Sequence, residues 1–212
     1  MRKWIPLLLI VAAVAVSIFY YPQLPERMAT HWSATGEANG FSSRLWGAWL
    51  MPLIMALIWV ILRAIPHIDP RGANYEKFSG MYDALVILIL AFILLMHVVV
   101  LMAASGTRVQ MERVMMPAVG VFIAVMGLLI PKAHPNWFVG IRTPWTLTSD
   151  LSWERTHKIG GTLFVILGVL MVASTFIAPE IAIWILVAAA LGITIFLFAY
   201  SYQVWKTDPL KR

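Results

Sequence analysis

Residues 84–104 read ALVILILAFILLMHVVVLMAA, an apolar run in which His97 is the only strongly polar side chain. An α-helix of about 20 residues is long enough to cross the hydrocarbon core of a bilayer. Lipid offers the backbone no hydrogen-bond partner, so a run of this kind crosses a membrane only as a helix. The stretch therefore predicts a transmembrane helix.

Other apolar runs of similar length are Ile5–Tyr21, Trp46–Ile65, Val114–Ile130, Thr162–Ala178 and Ile181–Tyr200. Of the 212 residues, 61% are hydrophobic and 12% are charged, about half the charged fraction of a typical soluble domain. The positive start Met1–Lys3 is typical of a secretory signal, but residues 17–21 contain no small-x-small cleavage site. We therefore expect the first run to remain as an anchor, and the sequence predicts an all-α membrane protein with a bundle of six transmembrane helices.

The Lys and Arg residues are divided unequally between the two sides that these spans define. With the N-terminus inside, the outer side carries only Arg27, Arg44, Arg108 and Arg113. The inner side carries Arg2, Lys3, Arg63, Arg71, Lys77, Lys132, Arg142, Arg155, Lys158, Lys206, Lys211 and Arg212. Short cytoplasmic loops hold the excess of basic residues, so we predict that both termini are cytoplasmic. Basic loops beside anionic lipid also account for the net charge of +6, and no nucleic-acid partner is predicted.

The first loop (Pro22–Leu45) is then extracellular and rich in turn residues. Pro22 and Pro25 end the first helix, while Gly36 and Asn39-Gly40 allow turns with positive φ. Aromatic residues that favour the headgroup boundary are Tyr20, Tyr21, Trp32 and Trp46. We expect this loop to lie against the membrane surface. Its candidate ligand contacts are His31, Trp32 and Arg44, and the alternative is that His31 and Trp32 anchor the loop at the interface.

The fourth loop (Pro131–Gly161) is cytoplasmic and is the longest polar interruption of the chain. Its backbone is fixed at Pro131, Pro135 and Pro144, and its large aromatic residues predict insertion at headgroup depth: Trp137, Phe138, Trp145 and Trp153. Thr148 or Ser149 is expected to cap a short interfacial helix from about Asp150, which leads through Gly160-Gly161 into the fifth span. Arg142 offers a planar fork to a phosphate or carboxylate, although ordinary headgroup contact explains it as well.

The sequence contains few of the residue patterns that enzyme active sites require. The chain has no cysteine, and it lacks the His-Glu-x-x-His motif, paired carboxylates and a Ser with a base at a defined spacing. Glu154, His157 and Lys158 share a face of the expected interfacial helix, where such a group is more often a surface contact than a ligand set. We predict no enzyme activity, no metal and no cofactor.

A family resemblance becomes visible at the fourth loop. Residues 136–161, NWFVGIRTPWTLTSDLSWERTHKIGG, resemble the signature of the SdpI family of bacterial immunity proteins. The matching residues are Asn136, Phe138, Gly140, Ile141, Arg142, Thr143, Pro144, Trp145, Thr146, Trp153, Gly160 and Gly161. Residues 24–44, LPERMATHWSATGEANGFSSR, are similar to a domain of unknown function often found ahead of that signature, through Leu24, Pro25, His31, Gly36, Gly40, Ser42, Ser43 and Arg44.

The resemblance implies two parts, a helical hairpin with the first loop over residues 1–65 and an SdpI-like four-helix part over 66–212. It implies a multi-pass protein of the bacterial cytoplasmic membrane that gives immunity to a sporulation-delaying type of peptide toxin. It also implies that the toxin's presence is relayed inward to a transcriptional repressor. A small-solute or proton-coupled transporter remains the alternative, because an ionisable residue deep in a span, here His97, is a functional candidate by default.

The charge bias makes the topology directly testable, because the chain has no cysteine of its own. A cysteine at Ser42 is expected to react with a membrane-impermeant thiol reagent in intact cells. A cysteine at Lys132 is expected to react only after lysis. Labelling of the Ser42 variant that requires lysis would contradict the predicted orientation.

Overall fold

The computed structural model describes residues 4–33, 36–176 and 179–211. Some of the sequence-based predictions fall outside these residues: the positive start Met1–Lys3, the end of the fifth run at Ala178, and the cytoplasmic charge of Arg212. Within the described residues, six helices are long and apolar enough to cross a membrane. The predicted six-helix membrane protein is confirmed.

The helices extend beyond the apolar runs at several ends, because polar residues cap and flank them. The membrane helices are α1 (Ile5–Tyr20), α2 (Arg44–Ile68), α3 (Ser79–Ala104), α4 (Met111–Leu129), α6 (Asp150–Ser174) and α7 (Pro179–Thr207), and the short α5 is Pro144–Thr148. Short 3-10 helices cover Tyr21–Gln23, Gly72–Phe78 and Ile130–Lys132. Two strands, β1 (Arg27–Trp32) and β2 (Ala38–Ser43), lie between α1 and α2.

The first loop therefore contains a β-hairpin, which its turn residues did not predict. β1 and β2 are antiparallel, with Arg27 opposite Ser43 and His31 opposite Gly40. The turn is closed by Ser33, whose N–H donates to the carbonyl of Glu37 at 2.8 Å. Gly36 in this turn has φ of +81°, as predicted. The turn predicted at Asn39-Gly40 is wrong, because both residues lie inside β2.

The fifth span also differs from its prediction. We expected an interfacial helix from about Asp150 that leads into a separate span, but α6 runs without interruption from Asp150 to Ser174. Ser149 is the cap, because its Oγ accepts the N–H of Ser152 at 2.9 Å. Gly160 and Gly161 do not break this helix. Their lack of a side chain serves close packing instead.

The chain divides into two compact units, of which the first comprises Met1–Leu62 and Val86–Ala118. Its buried apolar cluster joins the hairpin to the helices through Leu24, Met28, Ala48 and Leu101. Met28 is 1% exposed and Ala48 is fully buried. Burial of these side chains anchors the base of the hairpin in the unit.

A buried polar chain links α1, α2 and α3 in the same unit. The Oγ of Ser17 donates to the carbonyl oxygen of Ala48 at 2.7 Å and lies 2.8 Å from Nε2 of His97. In an α-helix the carbonyl of Ala48 would accept the N–H of residue 52, but residue 52 is proline and has none. Ser17 therefore satisfies a carbonyl that Pro52 leaves unpaired.

The second unit comprises Arg63–Leu85 and Val119–Arg212. In it α4 and α6 approach so closely that their glycines face each other's backbone. A Cβ at Gly120 would lie 2.7 Å from the carbonyl oxygen of Gly168, and one at Gly161 would lie 2.6 Å from that of Gly127. Small residues that let backbones approach are the usual means of packing membrane helices.

The role of Ser17 predicts a specific coupling with Pro52. Ser17→Ala is expected to lower the free energy of unfolding by about 1–2 kcal/mol, because it leaves the Ala48 carbonyl without a donor. In a Pro52→Ala background the N–H of residue 52 returns, so Ser17→Ala should cost markedly less. Unfolding of the purified protein in detergent measures all four variants of this double-mutant cycle.

Ser174→Ala is the matched control for this cycle, because the Ser174 hydroxyl donates to the carbonyl of Met171 in its own helix and has no bond to another of the described helices. It should change the free energy of unfolding by less than Ser17→Ala in both backgrounds. Strict additivity of Ser17→Ala and Pro52→Ala would contradict the assignment of Ser17 to the carbonyl freed by proline.

Candidate functional site

The fourth loop is organised around the buried side chain of Asn136. Its Nδ2 donates to the carbonyls of His134 and Val139, both at 2.9 Å. Its Oδ1 accepts the N–H groups of Phe138 at 2.9 Å and Val139 at 2.6 Å, and the hydroxyl of Tyr75 at 3.3 Å. Asn136 has no exposed surface. One amide thus replaces the regular secondary structure that this part of the loop lacks.

The segment before α3 braces the same part of the loop. The Oδ2 atom of the buried Asp69 accepts the Tyr75 hydroxyl and the N–H of Trp137, each at 2.9 Å. Nδ2 of Asn74 donates to the carbonyl of Pro135 at 2.7 Å. These bonds fix the conformation on the N-terminal side of Gly140.

Thr143 and Thr146 form the next fixed point. The two residues make a capping box, in which each side chain accepts the backbone N–H of the other, at 3.1 Å and 2.8 Å. Pro144 occupies the first turn of the helix, where its missing N–H costs nothing. The Thr146 hydroxyl donates to the carbonyl of Ile141 at 2.9 Å, and that of Thr143 donates to Oγ of Ser201 in α7 at 2.9 Å.

Two further serines connect the loop to α7. Oγ of Ser152 donates to the carbonyl of Ser201 at 2.8 Å, and Oγ of Ser149 donates to Oδ2 of Asp208. The hydrogen bond from Ser149, with help from the Leu210 N–H, holds the pKa of the Asp208 carboxyl below its ordinary value. Asp208 therefore accepts these bonds as an anion.

Gly140 allows the loop backbone to lie close against the ring of His157. Its φ is +121°, and a Cβ at this position would clash with Nε2 of His157. That Nε2 accepts the N–H of Ile141 at 2.9 Å, so Nδ1 carries the proton and donates to the carbonyl of Trp153 at 2.7 Å. His157 is thereby fixed as one neutral tautomer. We expected a surface cluster of Glu154, His157 and Lys158, which is wrong for His157, because it is 1% exposed.

The aromatic residues of the loop occupy two environments. Trp153 is 2% exposed, stacks on His157 with ring centroids 4.0 Å apart, and donates its Nε1–H to the carbonyl of Ala133 at 2.8 Å. Its predicted insertion at headgroup depth is therefore wrong, because the indole has a partner inside the protein. Trp145 is half-buried against Phe198 of α7, whereas Trp137 is 47% exposed.

Two glycines let α6 pack tightly at this site. A Cβ at Gly160 would collide with the side chain of Ile141, and one at Gly161 would lie 2.8 Å from Cδ of Pro131. Both positions are buried. The fourth-loop residues of the resemblance thus lie together, and most of them bond or pack internally.

Arg142 is the charged member of this set, and its side chain is exposed. Its Nη1 donates to the carbonyl of Trp137 at 2.9 Å. It borders a cavity of about 430 Å³ between the fourth loop and the helices α3, α4, α6 and α7. Arg142 is therefore the charged residue of the loop that is best placed to meet another molecule.

The candidate residues of the first loop do not form one cluster. His31 is exposed, and its Nδ1 is hydrogen-bonded to Oδ1 of Asn39 across the hairpin. Trp32 follows it near the turn. Arg44 lies at the other end, where its N–H donates to the carbonyl of Glu26 at 2.9 Å and its guanidinium lies 5.9 Å from the ring centroid of Tyr21. At about 3.3 Å per strand residue, His31 and Arg44 are separated by roughly 16 Å along the hairpin.

The family comparison covers both loops. Residues 132–201 match the model of the SdpI/YfhL protein family, and residues 8–56 match a domain of unknown function (DUF1648). The resemblance to the SdpI family is confirmed.

The immunity protein SdpI of Bacillus subtilis (strain 168) is 22% identical to this chain over 205 residues, which are 97% of this chain and 96% of that protein. No solved structure matches the chain. The SdpI-family segment begins inside the fourth loop and ends in α7, and it therefore contains both ends of the Thr143–Ser201 bond.

Sequence reasoning missed the partners that hold the fourth loop in place. Asp69, Tyr75, Ser201 and Asp208 lie about 60 or more residues from the loop positions they contact. His157 was considered only as a surface residue. The available signal was polarity inside or beside apolar runs, as in Ser201 next to the aromatic end of α7, because a buried polar group requires a partner.

The hydrogen bonds of Asn136 predict a strong effect of a nearly isosteric change. Asn136→Asp keeps an acceptor for the N–H groups but removes both donors, so a carboxylate oxygen would face the carbonyls of His134 and Val139. We expect the free energy of unfolding in detergent to fall by about 2–4 kcal/mol.

Gln203→Glu is the control for this prediction, because it makes the same amide-to-acid change at an exposed position of α7. It should leave the thermal unfolding midpoint close to that of the wild type. An Asn136→Asp protein as stable as the Gln203→Glu protein would contradict the central role of this amide.

Proposed function

We propose that this chain is a membrane immunity protein that protects the cell from a membrane-active peptide. The observation that carries the proposal is the alignment with the immunity protein SdpI, because it extends over 97% of this chain and 96% of that protein. It therefore includes the hairpin, the fourth loop and the helices that connect them. A match limited to the fourth loop would support only a shared packing motif.

The hairpin of the first loop is our candidate for contact with the peptide. The charge bias predicts that it lies on the extracellular side, from which a secreted peptide arrives. It offers a mixed surface, with His31 exposed and the Arg27 guanidinium 5.0 Å from the ring centroid of the exposed Phe41. A basic and aromatic surface suits a peptide that itself partitions between water and membrane.

The fourth loop has a different part in the proposal. Most of its family-like residues are buried in bonds to the surrounding helices, which supports a role in holding the bundle in its active arrangement. Its exposed residues, Trp137, Phe138 and Arg142, supply a surface that a cytoplasmic partner could use. Relay of the peptide's presence to a transcriptional repressor is the finer part of this proposal and would act through that surface.

Transport remains the second candidate, and one observation favours it. Nδ1 of the buried His97 has no hydrogen-bond partner among the residues that the structure describes. However, the ring already belongs to a structural hydrogen-bond chain. Its Nε2 bonds to Ser17, and Ser17 donates to the Ala48 carbonyl, which Pro52 leaves unpaired. We therefore rank immunity ahead of transport.

A killing assay tests the proposal and locates the contact. Cells sensitive to the sporulation-delaying peptide toxin are expected to survive at higher peptide concentrations when they express this chain. The double variant His31→Ala, Trp32→Ala should reduce that protection at least tenfold, because it removes both side chains near the turn. Arg44→Ala tests the base of the hairpin separately.

Glu37→Ala is the matched control, because it removes an exposed side chain at the same end of the hairpin. It should protect as well as the wild type. The amount of each variant in the membrane is measured in parallel. Lack of protection by the wild type would contradict the function, whereas full protection by both the double variant and Arg44→Ala would move the contact away from these residues.

A further inference from the structure

The cavity beside Arg142 has an apolar interior. Its volume of about 430 Å³ lies within the range of small-molecule pockets. Its walls include Met81, Leu85, Met126, Leu129, Phe164 and Leu197. These side chains come from α3, α4, α6 and α7, so the cavity lies among membrane helices of the second unit.

The two threonine hydroxyls in the wall have no proton left to donate to a guest. The Thr194 hydroxyl donates to the carbonyl of Ala190 in its own helix at 2.9 Å, and the Thr143 hydroxyl donates to Ser201. The rest of the lining is mostly apolar, whereas a bound water needs two to four polar partners. The cavity is therefore suited to a hydrocarbon group.

Arg142 gives the cavity a charged edge. It is the one charged residue in the wall that the described residues form. Its Nη1 is held by the Trp137 carbonyl, which orients the guanidinium plane. Its other N–H groups have no bond to the described residues, and a planar guanidinium binds a phosphate through two parallel hydrogen bonds.

We propose that this cavity binds an anionic phospholipid, with an acyl chain in the apolar interior and the phosphate on Arg142. The wall itself favours a bilayer lipid over a soluble anion. Its residues Phe198 and Thr194 are exposed on the lipid-facing side of a membrane helix, so an acyl chain can reach the cavity from the membrane. Neighbouring Trp137 and Phe138 are exposed aromatic residues of the kind that sit at headgroup depth.

Thr194→Phe tests the acyl-chain part of the site by filling the cavity. Thr162→Phe is its matched control, because Thr162 is also exposed and also donates its hydroxyl within its own helix, to Lys158, but does not line the cavity. The purified protein is titrated in detergent with phosphatidylglycerol, and binding is measured by native mass spectrometry and by the thermal unfolding midpoint. Wild type and Thr162→Phe should retain the lipid and gain several degrees, because a ligand that binds only the folded state stabilises it.

Thr194→Phe should lose most of the retained lipid and of the thermal shift while its unfolding midpoint without lipid stays near that of the control. Equal retention by Thr194→Phe and Thr162→Phe would overturn the cavity assignment. Inorganic phosphate distinguishes a lipid site from an anion site, and we expect it to give no thermal shift. A shift with phosphate equal to that with phosphatidylglycerol would also overturn the proposal.

The phosphate part of the site is tested by Arg142→Gln and Arg142→Lys. We expect about a ten- to hundredfold loss of phosphatidylglycerol affinity for Arg142→Gln, and an intermediate loss for Lys, which keeps the charge without the fork. Arg155→Gln removes an exposed charge outside the cavity and should bind as the wild type does. Unchanged affinity of Arg142→Gln would overturn the role of Arg142. No peptide is present in these measurements, so their outcome is independent of the immunity proposal.

Discussion

Every backbone N–H and carbonyl group that lipid or burial within the protein separates from water needs a partner within the protein, and this constraint shapes the whole chain. The helices meet it by themselves. The fourth loop cannot, because residues 133–143 contain no regular helix or strand. Its backbone groups are satisfied by side chains instead, chiefly those of Asn136, Thr146 and His157.

This constraint explains why the family-like residues of the loop are polar, small or aromatic. Asn136 and Thr146 supply both donors and acceptors. Gly140 has no side chain, so the loop backbone can approach the ring of His157. Substitution at these positions removes partners that no solvent replaces, so they carry the structure of the loop. The residues outside this network are free to serve the recognition proposed above, and among them Arg142 is an exposed charge and Trp137 an exposed aromatic side chain.

The same distinction explains how much the sequence alone could predict. The six spans follow from composition, because the bilayer imposes a length and a polarity on each one. The hairpin does not, because β1 and β2 carry no regular alternation of polar and apolar residues: in β1 only Met28 is buried, and Gly40 interrupts β2. The hydrogen bonds inside the fourth loop could not be predicted from the sequence either. Resemblance identified Asn136 and Thr143 as important, but only the fold brings Asp69 and Ser201 to them.

The constraint also accounts for the intramembrane histidine. Proline at position 52 removes the donor for the Ala48 carbonyl, and Ser17 supplies one from α1. Because the single Ser17 proton is used in that bond, its oxygen must accept from His97, so Nε2 of His97 carries the proton and Nδ1 does not. A proton moved through this ring would leave from Nε2 only by breaking the bond to Ser17. The arrangement therefore favours a fixed neutral histidine that closes a chain of hydrogen bonds beginning at a proline.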